Sequence, residues 1–254
     1  MMMKISIITV TFNSERTLCD TMDSVLKQNY ANYEYIVVDG GSKDRTLDII
    51  KEYESKFQGR MHWISESDNG IYDAMNKGFK MAKGDVLMLI NSDDLFASER
   101  VLESVASTFE NNPDIDGIFA NLYYVASDNI FKIIRRWKTG LQRPFKKGWL
   151  PAHPTFYVKR SIYEKYGYFD LNFKLAADFE LMLRFVERYH IKMKYLPEYL
   201  VKMRIGGATS SSLKNIISQN KECLEAFKVN GLSSGPFYLI YRFLPKIKQF
   251  LRKS

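Results

Sequence analysis

Four short strand-like runs alternate with helix-period segments through the first 90 residues, and this alternation constrains the fold more than any other feature. ISIITV at 5–10 is a β-branched run suited to a buried strand, and Leu18, Met22, Val25 and Leu26 follow it at helical spacing. YEYIVVD at 33–39 repeats the strand. Leu47, Ile50, Tyr53 and Phe57 repeat the helix, which starts near Asp44. A short strand, MHWIS at 61–65, leads to a helix carrying Ile71, Met75, Phe79 and Ala82, and VLMLI at 86–90 is the most apolar strand of the chain. Successive β-turn-α units pair their strands in parallel and cover both faces with helices, giving an α/β fold. Ligands of such sheets gather at the carboxyl edge, so the loops after Val10, Val38, Ser65 and Ile90 are the candidate site.

Past residue 120 the alternation stops. LYYV at 122–125 and FKIIRRW at 131–137 predict an antiparallel pair, followed by a loop with Pro144, Gly148, Pro151 and Pro154 and a helix from about Asp178 to Tyr189. No repeat, low-complexity tract or long linker forces a boundary. One domain over residues 1–210 is expected, in two halves, 1–120 and 121–210, with a helical tail over 211–254.

The 37 basic against 29 acidic side chains leave +8, which favours anionic partners such as nucleotide phosphates or lipid head groups. The cations form no stripe interleaved with aromatics, so nucleic acid is not expected. Cys19 and Cys223 lie far apart, predicting buried free thiols rather than a disulfide or zinc site. MMMKISIITV enters a strand-like run at once and lacks the longer apolar segment and small-residue cleavage site of a secretory signal, so none is expected, and no apolar run reaches the length of a bilayer span. A cytoplasmic protein is the expectation.

From Pro236 the sequence PFYLIYRFLPKIKQFLRKS sets Ile240, Phe243, Leu244, Ile247, Phe250 and Leu251 against Arg242, Lys246, Lys248, Arg252 and Lys253. An amphipathic helix with a basic face suits an anionic membrane surface, and Pro245 breaks it. Docking on the protein's own core is the other reading.

The loops carry the chemistry. In Thr11-Phe12-Asn13-Ser14, Asn13 or Ser14 is expected to cap the next helix and leave N–H groups open to an anion. In VVDGGSKDRT at 37–46, Asp39 stands at the strand tip, where it could accept from a base N–H edge or ribose hydroxyls; a Gly-rich turn capped by Asp44 explains the same residues. In ESDNGIYDAMNKG at 66–78, Lys77 is suited to neutralising phosphate. In Asn91-Ser92-Asp93-Asp94, adjacent carboxylates end the most apolar strand and repel unless a cation lies between them. Hard oxygen ligands there suit Mg²⁺ or Mn²⁺ bridging a diphosphate. Asp178, flanked by small apolar residues at a helix start, could take a proton from a hydroxyl, although capping alone favours aspartate there. His153, between Pro151 and Pro154, reads as structural or catalytic.

Taken together and in order, TFNS, VVDGGSKDRT, ESDNGIYDAMNKG, NSDD and AADFEL at 176–181 resemble the inverting glycosyltransferases of family 2, over roughly residues 4 to 210. The resemblance implies the GT-A fold, a Rossmann-like, mostly parallel sheet, with a nucleotide-sugar-binding half followed by an acceptor half. It implies that Thr11, Asn13, Asp39, Gly41, Ser42, Asp68, Lys77, Asn91 and Ser92 serve the nucleotide sugar, Asp39 contacting its base. Asp93 and Asp94 would meet Mn²⁺ or Mg²⁺, Asp178 would be the catalytic base, and His153 and Arg204 would lie at the acceptor. Family members usually open the acidic motif with aspartate, where this chain has Asn91. The expected activity is transfer from a nucleotide-diphosphate sugar, UDP before GDP, to a lipid-linked or growing surface polysaccharide at the inner face of the membrane. A nucleotide-binding protein of the same fold without turnover is the alternative.

Overall fold

The computed structural model describes residues 2–206 and 213–242. The first half follows the expected alternation: β1 (Ile5–Thr11), α1 (Leu18–Leu26), β2 (Tyr33–Asp39), α2 (Thr46–Glu54), β3 (Met61–Ser65), α3 (Ile71–Met81) and β4 (Val86–Leu89). β1 pairs in parallel with β2 and β4, and β2 with β3. After the short β5 (Leu95–Phe96) and α4 (Val101–Glu110) come β6 (Gly117–Val125), β7 (Ile133–Trp137), β8 (Tyr157–Lys159), α5 (Arg160–Tyr166), α6 (Ala177–Leu183), β9 (Met193–Arg204) and α7 (Leu213–Val229).

Among the described residues nine strands join one sheet in the order β3-β2-β1-β4-β8-β6-β9-β5, with β7 antiparallel to β6 as its pattern predicts. The second half reverses direction at β8, which is antiparallel to both β4 and β6, while β9 runs parallel to β6. The helix expected over 178–189 ends its α-helical part at Leu183 and continues as a π-turn through Arg188.

Strand periodicity divides the core. Ile8, Val10, Ile36 and Val38 face α3, α6 and α7, whereas Ile5, Ile7, Tyr35 and Val37 face α1, α2 and α4. The α3 side requires Gly78, because a Cβ there would collide with the Ile8 side chain. Ile71, expected on the inner face of α3, is instead half exposed at its first turn, where the loop has not yet come against the sheet.

A buried carboxylate ties the amino ends of the first strands together. Glu34 accepts from Ser6 Oγ at 2.6 Å, from the Lys83 and Gly84 N–H groups at 2.6 and 3.1 Å, and from Lys4 Nζ at 2.8 Å. Burial pushes its pKa up, but the bonds from Lys4, Ser6 and Lys83 outweigh that and hold it below the ordinary glutamate range. Its stabilisation is therefore present above the ordinary value and lost as pH falls through the depressed one. Glu34→Ala strands these donors and is expected to cost about 2–3 kcal/mol by urea unfolding at neutral pH, with the deficit narrowing in acid.

Candidate active site

The loops after β1, β2 and β3 converge at the carboxyl edge and are built from each other's side chains. Asn13 N–H donates to Ser42 Oγ and Lys43 N–H to Asn13 Oδ1, both at 2.8 Å. Ser14 N–H donates to Thr46 Oγ1 at 2.8 Å, Glu15 N–H to Asp44 Oδ2 at 3.1 Å, and Arg45 N–H returns a bond to Glu15 Oε2 at 3.0 Å. The expected cap of α1 by Asn13 or Ser14 is not what forms: α1 starts at Leu18 behind Thr17, without a side-chain cap. Asn13 adopts φ +50, a left-handed conformation that asparagine tolerates, and turns its side chain to the second loop.

Asp39 is fully buried and organises that loop. Its Oδ2 accepts from Gly41 N–H at 3.1 Å, Ser42 N–H at 3.0 Å and Ser65 Oγ at 2.6 Å, and its Oδ1 accepts from the Ser42 hydroxyl. Gly41 at φ +80 permits the turn. The carboxylate expected to face a nucleotide base is thus engaged with the Gly41, Ser42 and Ser65 donors around it.

In the third loop Lys77 Nζ meets Asp68 Oδ1 at 2.5 Å and Glu66 Oε1 at 2.8 Å, and it also donates to the Ser67 carbonyl. The Asp68 and Glu66 bonds hold the ammonium well above its ordinary pKa. Its charge is thus spent on closing residues 66–68 over α3, in place of the free phosphate-neutralising cation expected. Asp68 also borders the Gly40 backbone, so the second and third loops touch.

The acidic loop after β4 joins this assembly through Ser14 Oγ and Ser92 Oγ, 2.9 Å apart. Its two carboxylates part company. Asp94 points into the core, where Asn91 Nδ2 donates to its Oδ2 at 3.0 Å, and burial followed by the nearby Asp93 charge raises its pKa well above the ordinary range. Asp93 is half-buried; desolvation raises it, against the opposing pull of Arg204. Asn91, where an aspartate was expected, makes chemical sense here, since a third carboxylate beside the buried Asp94 would add repulsion.

Among the described residues no three acidic, His or Cys side chains converge into a metal cage. The donor set fits Mg²⁺ or Mn²⁺ in another way: one desolvated carboxylate, Asp93, with further oxygens coming from a diphosphate and water. Asp94, the other carboxylate of the expected pair, is buried against Asn91.

Arg204, at the end of β9, is buried and occupied. Its Nη1 donates to the Asp93 carbonyl at 2.6 Å and its Nη2 to Asp20 Oδ2 at 2.5 Å. It braces the acidic loop against α1 instead of facing an acceptor. Asp20 carried no signal in the sequence, because its partner lies 184 positions away.

Asp178 sits in the first turn of α6, and Tyr72 Oη from the first turn of α3 lies 3.3 Å from its Oδ1. Burial, then the Asp178 charge, raises the Tyr72 phenol, so it stays a donor. A narrow cleft runs between residues 69–72 and Leu171, Phe173 and Lys174, with Tyr72 in its wall. His153 packs edge-on to Phe169; desolvation lowers its pKa, opposed by Asp178, so the ring is neutral near pH 7. A larger surface depression, lined by residues such as Met3, Glu110 and Lys159, lies at the amino edge of the sheet, away from every loop described above.

The model of the family described as "Glycosyl transferase family 2" matches residues 6–167. A PGL/p-HBAD biosynthesis glycosyltransferase of Mycobacterium bovis is 26% identical over 211 residues, covering 82% of this chain and 79% of that protein. Among solved structures, S. aureus TarS 1–349 in complex with UDP-GlcNAc superposes with a TM-score of 0.67 at 19% identity, over 90% of this chain and 65% of that one. The mannosyltransferase PcManGT from Pyrobaculum calidifontis, in complex with GDP-Man and Mn²⁺, gives 0.62 at 14% identity, over 98% and 76%. The fold is thus the GT-A type that the sequence motifs imply.

Replacing Arg204 with alanine unpairs Asp20 and the Asp93 carbonyl and is expected to cost about 1–3 kcal/mol, read from the urea midpoint. Arg204→Lys, which can keep only one of the two contacts, should fall between alanine and wild type.

Proposed function

This chain belongs to glycosyltransferase family 2, and on that premise we propose that it moves a sugar, with inversion, from a UDP-sugar to a hydroxyl of a lipid-linked or growing surface polysaccharide. The observation that carries this reading is the contact of Tyr72 with Asp178, which sets a carboxylate of the second half against the start of α3 in the first. The nucleotides bound by TarS and PcManGT support a nucleoside diphosphate sugar as donor, with a guanosine carrier as the second choice.

In this mechanism the loops after β1 and β2 form the nucleotide seat. Asp39 shapes it from beneath and reaches the base only if the Ser42 hydroxyl yields; Thr11, Asn13 and Gly41 contribute backbone at its rim. Lys77 keeps residues 66–68 closed over the donor. The acceptor hydroxyl enters beside Tyr72 and His153, and Asp178 takes its proton as the oxygen attacks the anomeric carbon. The carbon–oxygen bond to the diphosphate breaks on the opposite face, so one displacement inverts the centre and no glycosyl-enzyme forms. Mg²⁺ or Mn²⁺ at Asp93, when bound, supplies electrostatic stabilisation of the departing diphosphate.

Calorimetry with UDP and GDP, with and without Mn²⁺, tests the donor seat. One nucleotide should bind in a metal-dependent way, Asp93→Ala should abolish that binding, and Asp94→Asn should largely keep it. Asp178→Asn should bind the nucleotide normally yet lose about 10²–10⁴-fold in turnover. Turnover that survives in Asp178→Asn removes it as the base.

We also place the enzyme at the inner face of a membrane. The tail expected to lie on the bilayer divides: Tyr238 is buried against Phe179 and Phe227, and Arg242 turns inward to Cys223 and the Tyr238 hydroxyl. Phe237, Ile240 and Tyr241 remain exposed, and the rest of the tail, 243–254, lies outside the described residues. Among the described residues no helix is long and apolar enough to cross a membrane. Deleting 243–254 spares the inner contacts and should lower co-sedimentation with vesicles containing phosphatidylglycerol; unchanged binding would remove the tail from this role.

A further inference from the structure

α6, which carries Asp178, begins without a cap of its own. Its N-cap position is Ala176, and no side-chain bond from that position meets the first N–H groups. Helix starts expose donors that must find acceptors, and alanine offers none. For the N-cap N–H and the one before it, the acceptor comes from α7. Glu222 Oε2 takes the N–H of Leu175 at 2.8 Å and that of Ala176 at 2.9 Å. One turn earlier on α7, Gln219 Nε2 donates to the Leu175 carbonyl at 3.3 Å. The backbone just before Asp178 is therefore gripped on its donor and acceptor sides by one neighbouring helix.

The remainder of α6 is anchored separately. Glu180 pairs with Arg184 at 3.0 Å and accepts from Asn230 Nδ2 at 3.0 Å, and Arg184 holds the Tyr166 and Tyr168 carbonyls. Removing the Glu222 contact would thus loosen the entry to the helix, next to Asp178, while the helix body stays in place.

We propose that Glu222 is the positioning residue for Asp178, capping the base helix from α7 so that the carboxylate stays against Tyr72 and in line with the acceptor hydroxyl. The inference rests on the reading of Asp178 as the base. It also makes α7, which lies beyond the stretch matched by the family model, part of the catalytic unit. A carboxylate displaced by about 1 Å from its attacking geometry loses on the order of 10²-fold in rate.

The test compares full-length wild type, Glu222→Ala, Glu222→Gln and Asp178→Asn. Nucleoside diphosphate release is followed from a mixture of UDP- and GDP-hexoses and UDP-N-acetylhexosamines, and amide hydrogen exchange is followed over 173–183. Glu222→Ala should speed exchange at 175–178 but not at 181–183, and lower kcat by about 10–100-fold with KM for the donor within about threefold. Glu222→Gln, whose carboxamide oxygen still accepts from both N–H groups, should restore protection and most of kcat. Normal kcat in Glu222→Ala alongside an inactive Asp178→Asn would overturn the proposal, as would a Glu222→Gln as impaired as the alanine variant. An active Asp178→Asn would instead refute the base itself.

Discussion

The interlocking of backbone N–H groups with side-chain oxygens at the carboxyl edge of β1 and β2 is the constraint on which the site depends. Where the strands stop, the sheet no longer pairs the chain's polar groups, and buried amides without acceptors are costly. Each loop meets that cost with its neighbour's side chain: Asn13 and Ser42, Ser14 and Thr46, Glu15 and Asp44. Short polar residues therefore dominate these loops because they shape the seat before they meet any ligand.

The same logic governs the charges. Asp39, Asp94 and Glu34 are all buried, yet only Glu34 is tied to a full positive charge, while Asp39 is held by N–H and hydroxyl donors and Asp94 by one carboxamide. Lys77 and Arg204 are likewise engaged with carboxylates of the protein. Asp93 and Asp178 are left partly covered, and the interlocked loops beside them favour preorganisation over rearrangement.

The two halves meet through long-range contacts that tie chemistry to architecture. Tyr72 at the start of α3 reaches α6, Asn76 of α3 exchanges hydrogen bonds with the Phe169 backbone, and Phe79 stacks on Phe169. The cleft wall and the core are thus one structure, and displacing Phe169 would move both His153 and Tyr72, which pack against it.

The sequence by itself determined the alternation of elements, the parallel first half, the four loops and the family, because apolar periodicity and glycine placement are local properties of a chain. β2 and β3 have the expected bounds, and β1 and β4 differ by one residue. Tertiary structure alone decided which way each polar side chain faces. Asp93 and Asp94 are adjacent letters in the turn after β4, yet Asp94 is fully buried while Asp93 is only partly covered. Arg204 reads as a free cation until Asp20, far away in the chain, is brought against it. Glu222 shows no motif at all: its role exists only because α7 packs beside an uncapped helix, and packing between distant segments leaves no local pattern to read.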